Sequence, residues 1–187
     1  ITPTQVMASK QEQVVGPVPL TPVQHWFFEL NLPDPHHWNM PMLLEVQGAL
    51  SASHLKQVIR ELLVHHDALR LRFFQTESIP SRSRGGEKDA PLGPAAGGGG
   101  WQGKIATFDE SVPFDWVDVS SLTEAEQKAA IEQKAAEFQA SLNLKEGPLM
   151  RVVFFDLGAQ KPSRLLWMIH HLAVDGVSWR ILLEDLQ

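Results

Sequence analysis

The feature that most constrains this chain is an apolar run close to its end that stops at two histidines. Residues 165–169 read LLWMI, and His170 and His171 follow. A short, continuous apolar run bounded by turn residues is typical of a buried β-strand. Asp175 and Gly176 come next and predict a tight turn, because glycine can take the positive φ angles that other residues avoid. The sequence therefore predicts a buried strand with an imidazole at its tip, beside a turn.

Strand geometry predicts different roles for the two histidines. Side chains alternate between the faces of a strand, so we expect His171 to share a face with Ile169 and Trp167. His170 should face the other way, with Met168 and Leu166. The pair therefore cannot converge on one metal ion, and no HExxH helix motif is present, so no metal site is predicted. At most one of the two is expected to meet a reacting group, as a base, while the other is packed and hydrogen-bonded in the core.

The residues after the histidines are expected to shape the turn. Asp175 is too close in sequence to His171 to hold its ring as a triad aspartate does, and we expect it to form an ion pair with the distant Arg70. Ser178 is a possible nucleophile, but it lacks a GxSxG elbow. Its place at the start of an apolar periodic segment favours a helix-capping role. The residues predicted to be structural at the site are His170, Asp175, Gly176 and Arg70.

Two helix starts are predicted by capping boxes, in which a threonine and a Gln or Glu three residues later satisfy each other's backbone N–H groups. Thr21 and Gln24 form the first, and Thr123 and Glu126 the second. Another helix is expected to open at residues 51–53, with an inner face that consists of Leu55, Val58, Ile59, Leu62 and Leu63. The apolar face expected on the first helix, from its i, i+3, i+4, i+7 spacing, consists of Val23, Trp26, Phe27 and Leu30.

The remaining apolar segments predict strands. They lie at residues 42–47, 69–73, 104–108, 149–157 and 164–172. Helices and strands follow one another in mixed order, with no internal repeat and no heptad pattern. An α/β layered sandwich fits this order best.

The domain organisation follows from local composition. Residues 77–103 are rich in Pro, Ser, Gly and charge, and we expect a low-complexity insert that cannot bury enough apolar surface to order itself. A phosphate-binding loop is disfavoured because no Lys-Ser/Thr follows the glycines at 97–100. Residues 1–15 read as a linker and residues 16–187 as one domain. The missing initiator Met and the apolar periodic segment at the last residue both predict a piece of a longer polypeptide.

The overall composition excludes several classes of protein. The 187 residues carry a net charge of −6 without a Lys/Arg block, which argues against a nucleic-acid partner. The absence of cysteine excludes disulfides, thiolate zinc sites and thiol nucleophiles, and fits a reducing, cytoplasmic compartment. No apolar run reaches the roughly 20 residues needed to cross a bilayer, so no membrane association is expected.

The turn sequence carries a resemblance to a known family. HHLAVDG, at residues 170–176, resembles the HHxxxDG signature of the condensation-type domains of nonribosomal peptide synthetases, whose fold is similar to that of chloramphenicol acetyltransferase. Three further segments resemble motifs of this family in the same order. They are PVQHWF at residues 22–27, HHDALRLRF at 65–73 and EGPLMR at 146–151. The resemblance implies the two-layer sandwich of that fold and covers its N-terminal lobe.

Two segments resemble the epimerization subtype. VSWRILLEDL, at residues 177–186, looks like the epimerization continuation of HHxxxDG, and PVQHWF resembles the PIQxWF of that subtype. HHDALRLRF at residues 65–73, which we call the second motif, departs from the RHExLRTxF of condensation domains. His65, Asp67 and Leu71 replace the Arg, Glu and Thr of that pattern. We therefore expect an epimerization domain.

The resemblance implies a carrier-bound substrate. A peptidyl carrier protein would present an aminoacyl or peptidyl thioester on its phosphopantetheine arm, and His171 would act as acid or base at Cα. The domain itself is expected to bind no cofactor. The second acid/base looks like a glutamate of the missing C-terminal lobe, so residues 1–187 alone are predicted to be inactive. Expected partners are the carrier protein, that lobe and neighbouring synthetase domains.

Three alternatives remain open. In a condensation domain, His171 would position or deprotonate the amine that forms a peptide bond. A non-catalytic member of the fold would only dock carrier proteins. A coenzyme A-dependent acyltransferase would share the HxxxDG core. The sequence that follows residue 187 would distinguish these alternatives best.

Overall fold

The strands and helices were obtained from a computed structural model, which describes residues 13–48, 50–76 and 100–186. In chain order, the elements are β1 (Gly16–Val18), α1 (Pro22–Glu29), β2 (Asn39–Val46), α2 (Ala52–His65), β3 (Leu71–Gln75), β4 (Trp101–Ile105), β5 (Phe114–Asp118), α3 (Glu124–Gln139), β6 (Met150–Asp156), β7 (Ser163–His170) and α4 (Gly176–Leu186). Short 3₁₀ turns at Pro35–His37 and Asp67–Arg70 precede β2 and β3.

The described strands form two sheets. The larger has the order β2-β7-β6-β5, in which β7 is antiparallel to both β2 and β6, while β5 is parallel to β6. In register, Ile169 of β7 lies opposite Met40 of β2 and Met150 of β6. The smaller sheet is antiparallel with the order β1-β4-β3. The strand that carries the histidines is thus held by neighbours on both sides.

Helices cover both faces of the larger sheet. On one face α2 and α4 pack against Trp167 and Ile169 of β7, and this is the main core. On the other face α3 packs Ile131 and Phe138 against Met168. The mixed α/β class is therefore confirmed. The connection between the parallel strands β5 and β6 crosses one face of the sheet, and α3 forms it.

The first helix begins as predicted but buries a different face. Both halves of the Thr21/Gln24 capping box are formed. Phe27 and Phe28 are buried, and Phe28 stacks at 4.1 Å on an aromatic ring of β4. Of the apolar residues expected to face inward only Phe27 is buried, and the face prediction was wrong. Periodicity identifies an apolar stripe, but it does not say which neighbouring element covers the stripe. The three that remain exposed are Val23, Trp26 and Leu30.

The other helices agree more closely with the sequence. The second capping box, Thr123 with Glu126, is formed at the start of α3. The inner face of α2 contains Leu55, Ile59 and Leu62, which the periodicity predicts. Both predictions depend on residues only a few positions apart, and both are confirmed.

The segment predicted as a low-complexity insert overlaps a strand at its end. Residues 101–103 lie in β4, where Gly103 pairs with both Val18 and Phe73. A glycine suggests a loop in the sequence, but here the missing Cβ makes room for Leu20, which would lie 3.2 Å from it. The rest of that segment, residues 77–99, and residues 1–12 of the predicted linker lie outside the described residues.

Among the helices that the structure describes, none is long and apolar enough to cross a membrane.

Candidate active site

The candidate site forms where β7 ends. His170 is the last residue of that strand, and the chain then turns before α4 begins at Gly176. His171 is therefore a turn residue, one position beyond the end of the observed strand, although the sequence predicted a strand up to residue 172. Contacts within the turn, and not the pleat of the strand, determine the direction of its ring.

His170 is part of the core. Its side chain is fully buried, with Nε2 donating to the backbone oxygen of Pro35 at 2.8 Å and Nδ1 accepting from the N–H of Leu172 at 3.2 Å. Burial lowers its pKa from 6.5 to about 4, since the loss of water disfavours the charged ring more than the Pro35 bond favours it. His170 is thus a neutral ring that joins the strand to the 3₁₀ turn before β2.

The ring of His171 bonds to the backbone through Nδ1, whereas the ring of His170 donates through Nε2. Its Nδ1 lies 2.9 Å from the backbone oxygen of Val174, and its backbone N–H donates to the oxygen of Trp38 at 2.9 Å. A carbonyl can only accept, so the neutral ring carries its proton on Nδ1 and keeps the lone pair of Nε2 free. Among the described residues no side chain forms a hydrogen bond with that Nε2. The half-buried ring is therefore oriented as a base.

Aromatic side chains form a wall beside His171. The Trp38 ring lies 5.1 Å from the imidazole and stacks on Phe27 at 4.5 Å. Trp26 lies 5.9 Å from Trp38 on its other side and is half exposed. The exposed apolar stripe of α1 therefore continues directly into the surroundings of the base. An exposed apolar surface next to a free base is typical of a binding surface.

Gln24 ties α1 to the histidine turn. It is buried, and its side-chain amide donates to the backbone oxygen of Leu172 at 3.3 Å while its carbonyl oxygen accepts from the N–H of Thr21 at 2.9 Å. The capping residue predicted from the sequence thus has a second contact, 148 residues away. Sequence reasoning missed this role, although a glutamine on the buried side of an otherwise apolar helix start is a signal for it.

Asp175 caps α4 and does not pair with Arg70, so the predicted ion pair was wrong. Its Oδ1 accepts from the N–H groups of Ser178 at 2.7 Å and Val177 at 3.0 Å, and from the Ser178 hydroxyl at 2.7 Å. The N–H and then the hydroxyl of Ser178 are the main causes that lower the pKa of Asp175. The free N–H groups at a helix start lie within reach of a side chain just before them, so Asp175 accepts from these groups and does not pair with the distant Arg70. Ser178, expected as the cap, donates to it instead.

Gly176 is the first residue of α4, and its φ lies outside the left-handed region. The expectation that it turns the chain through a positive φ was therefore wrong. No described atom lies within 4 Å of the place where a Cβ would stand. The lack of a side chain leaves open space beside the turn, where another group can approach the backbone closely.

Arg70 is buried and fixes the end of α2 instead of the turn. Its guanidinium forms an ion pair with Asp67 and donates to the backbone oxygens of Val64 and Ala106, at 3.2 Å each. It also donates to the oxygen of Leu63. A cation at a helix C-terminus satisfies the carbonyls that have no partner within the helix. The second motif is thus a structural unit at the join of α2 and β3.

The arrangement contains one part of an acid/base site. His171 can accept a proton on Nε2, but the N–H groups of Val177 and Ser178 are occupied by Asp175 and are not free to bind an oxyanion. Residues of the described chain that stand together as possible metal ligands are His65, His66 and Asp185, none of which belongs to the turn. The turn offers a base and an apolar wall, with no second proton donor among its residues.

Comparisons with known proteins identify the family. The family model for the condensation domain matches residues 14–81 and 102–187. The chain belongs to the condensation domain family of nonribosomal peptide synthetases. This condensation-family chain is 47% identical over 179 residues to a linear gramicidin synthase of Brevibacillus parabrevis, and 43% identical over 178 residues to chondramide synthase cmdD of Chondromyces crocatus. These matches cover 96% and 95% of the chain but only 3% and 4% of the relatives.

Solved structures of condensation-family domains share its fold. The epimerization domain from the third module of tyrocidine synthetase B has a TM-score of 0.77 and 32% identity, with 95% of this chain and 34% of that chain covered. The first condensation domain of the calcium-dependent antibiotic synthetase has a TM-score of 0.70 and 20% identity, with coverage of 91% and 36%. The chain therefore has the chloramphenicol acetyltransferase-like fold and spans about a third of these domains, which is the predicted N-terminal lobe.

Proposed function

We propose that this chain is the N-terminal lobe of an epimerization domain, in which His171 exchanges a proton with the Cα atom of an aminoacyl or peptidyl thioester. A carrier protein would present that thioester on its phosphopantetheine arm. The other partners would be the C-terminal lobe and neighbouring synthetase domains. The proposal concerns the complete domain, of which this chain spans about a third of the length.

The observation that carries the proposal is the orientation of His171. Its Nδ1 is held by the Val174 carbonyl at 2.9 Å, so the lone pair of Nε2 is the free one. Removal of a weakly acidic Cα proton needs a base fixed in one direction, and a tautomer fixed by a backbone carbonyl supplies this without rearrangement.

Inversion also needs groups that the described residues do not bring to the turn. After His171 takes the proton, negative charge develops on the thioester oxygen, and a donor must stabilise it. The first free N–H groups of α4 are occupied by Asp175. A second acid must then return a proton to the opposite face of Cα. Both groups would come from the C-terminal lobe or the carrier-bound substrate.

The epimerization subtype is supported by the structural comparison. The epimerization domain of tyrocidine synthetase B is 32% identical and superimposes with a TM-score of 0.77, whereas the starter condensation domain of rhizomide synthetase is 18% identical with a TM-score of 0.67. The similarity of VSWRILLEDL to the epimerization continuation points the same way.

Loss of a Cα label tests the proposal directly. We expect the complete domain to exchange deuterium at Cα of a carrier-bound aminoacyl thioester for solvent hydrogen. His171→Ala should slow this exchange by at least about 100-fold, because general-base catalysis contributes 10²–10⁴-fold. The matched control is His37→Ala, which removes an exposed imidazole close in sequence to Trp38. Label loss that is unchanged in His171→Ala would remove His171 from the reaction.

Condensation is the second candidate because the matching family model is that of the condensation domain. In that reaction Nε2 of His171 would take or position a proton of the acceptor amine as it attacks the donor thioester. The same preparation distinguishes the two functions if it also receives a loaded donor and a loaded acceptor carrier protein. Peptide formation that depends on His171, without loss of the Cα label, would replace epimerization by condensation.

A further inference from the structure

The ends of α2 and α4 bring together three side chains that commonly bind metals. His65 and His66 stand at the end of α2, and Asp185 is near the end of α4, 119 residues later than His66. One ligand atom from each residue lies within 4.8 Å of the other two. The two imidazole rings are 4.8 Å apart and perpendicular, so they approach from different directions.

The geometry is close to that of a three-ligand zinc site. Zinc binds imidazole nitrogen and carboxylate oxygen at about 2.0–2.2 Å, so tetrahedral ligand atoms are roughly 3.4 Å apart. Nε2 of His66 and Oδ2 of Asp185 are already 2.8 Å apart. The third ligand atom has to move by about an ångström, and the exposed His65 can do this by side-chain rotation. Two imidazoles and one carboxylate leave a fourth position for water.

The surroundings also favour a cation. The cluster lies at a groove of about 800 Å³ whose described lining contains His65 and Asp185 together with Glu61 and Asp67, and neither Lys nor Arg. Glu61 and Asp67 are each paired with an arginine. Asp185, by contrast, is paired only with the His66 ring among the described residues, and not with an arginine. Its carboxylate is therefore the one available to bind an ion.

We propose that His65, His66 and Asp185 bind one divalent transition-metal ion, with zinc as the metal that this donor set suits. Imidazole nitrogen favours zinc, copper, iron and nickel, while magnesium and calcium prefer sites built from oxygen. The ion links the end of α2 to the end of α4. It lies apart from the His171 turn, and its presence does not depend on the proposed epimerization.

The bound ion has a mechanical consequence for the histidine turn. α4 begins at Gly176, directly after the cap residue Asp175, and its far end carries Asp185. A metal bridge at that far end limits the movement of the whole helix against α2. Because the ion binds the folded arrangement and not the separated helices, it should raise the unfolding temperature of the chain.

Titration with zinc sulfate tests the proposal on residues 1–187. We expect calorimetry to give one saturable site per chain with a Kd of about 10 µM or tighter, and excess zinc to raise the Tm by a few degrees. His65→Ala, His66→Ala and Asp185→Asn should each weaken binding at least tenfold. The matched control is His54→Ala. His54 lies on the same face of α2 and lines the same groove, but it does not belong to the cluster.

Each outcome decides the question. His65 is exposed and Asp185→Asn is isosteric, so these two variants should fold, and circular dichroism checks that they do. If zinc binds no more tightly than about 1 mM, His66 and Asp185 are only a hydrogen-bonded pair and the proposal is overturned. It is equally overturned if zinc binds and the three variants bind as tightly as the unmodified chain. Weakening by His54→Ala alone would place the ion elsewhere in the groove.

Discussion

His170 and His171 are adjacent in sequence, yet their rings carry the proton on opposite nitrogens. His170 donates through Nε2 to Pro35, whereas the Nδ1–H of His171 points at Val174. A backbone carbonyl that accepts from one ring nitrogen fixes the proton on that nitrogen and leaves the lone pair on the other. The position of one backbone oxygen therefore decides which nitrogen of each ring can accept a proton. Neither ring needs a carboxylate partner for this.

The buried ring of His170 predicts a pH dependence of stability. Its pKa is about 4 in the folded chain and 6.5 when unperturbed. Between these values the unfolded state binds the extra proton, so the free energy of unfolding should fall as the pH is lowered from 6.5 towards 4. The part due to His170 is about 3 kcal/mol, which follows from 1.36 kcal/mol per pKa unit. Urea unfolding at half-unit pH steps measures it.

A variant without a titrating ring isolates this contribution. His170→Gln keeps a polar side chain at the position but cannot be protonated in this range. Although it will be less stable at neutral pH, its stability should vary less with pH between 6.5 and 4 than that of the unmodified chain. Equal slopes in the two proteins would show that His170 is protonated in the fold and that its burial has no such effect.

At the scale of elements, the first turn of α4 is stabilised from within. Asp175 accepts three hydrogen bonds from Val177 and Ser178. The arginine expected to hold this aspartate serves the end of α2, where it pairs with Asp67. The turn after β7 and the second motif are therefore two separate polar units, each closed over a few residues.

Double-mutant cycles should reveal this separation. Arg70→Ala should cost about 3 kcal/mol or more, because it leaves a half-buried Asp67 and several carbonyls without their partner. Its effect should be additive with that of Asp175→Ala, since the two side chains share no contact. Arg70→Ala and Asp67→Ala should be non-additive. Urea unfolding of the single and double variants measures both cycles. Coupling between Arg70 and Asp175 would reinstate the long-range ion pair.

The same elements explain what the sequence could predict. The capping box at Thr21 and the cluster on α2 depend on residues a few positions apart, and both were predicted. The glutamine at an otherwise apolar helix start can signal that Gln24 is buried, but no local pattern identifies its partner Leu172, 148 positions away. His171 could be chosen from its motif, but its ring direction depends on Val174 in an irregular turn. Residue spacing gives the period of a structure and leaves the partner of each side chain undetermined.

At the scale of the whole molecule, the exposed stripe of α1 reaches the histidine turn through Trp38, whose ring lies 5.9 Å from Trp26 and 5.1 Å from His171. Trp26 and Val23 are 50% and 59% exposed there. The chain spans 34% of the related epimerization domain. The proposed epimerization needs a second acid and an oxyanion donor, and the described residues of the histidine turn supply neither.

This incompleteness predicts that residues 1–187 do not catalyse the reaction alone. A carrier-bound thioester labelled with deuterium at Cα should keep its label in the presence of the chain, at the rate seen with carrier protein alone. The complete domain at equal concentration is the positive control, and mass spectrometry of the released amino acid gives the readout. Label loss caused by the short chain above the carrier-only rate would show that His171 suffices without the second lobe.

The base of the connection between β3 and β4 has a practical consequence. The N–H of Thr76 donates to the oxygen of Gly100 at 3.2 Å, and the Thr76 hydroxyl reaches the same oxygen at 3.3 Å. The strands are thus joined before the intervening residues begin, and each doubling of a connecting loop costs only about 0.6 kcal/mol. A fluorescent reporter or an affinity tag can therefore be spliced between these two residues while the hairpin keeps its register.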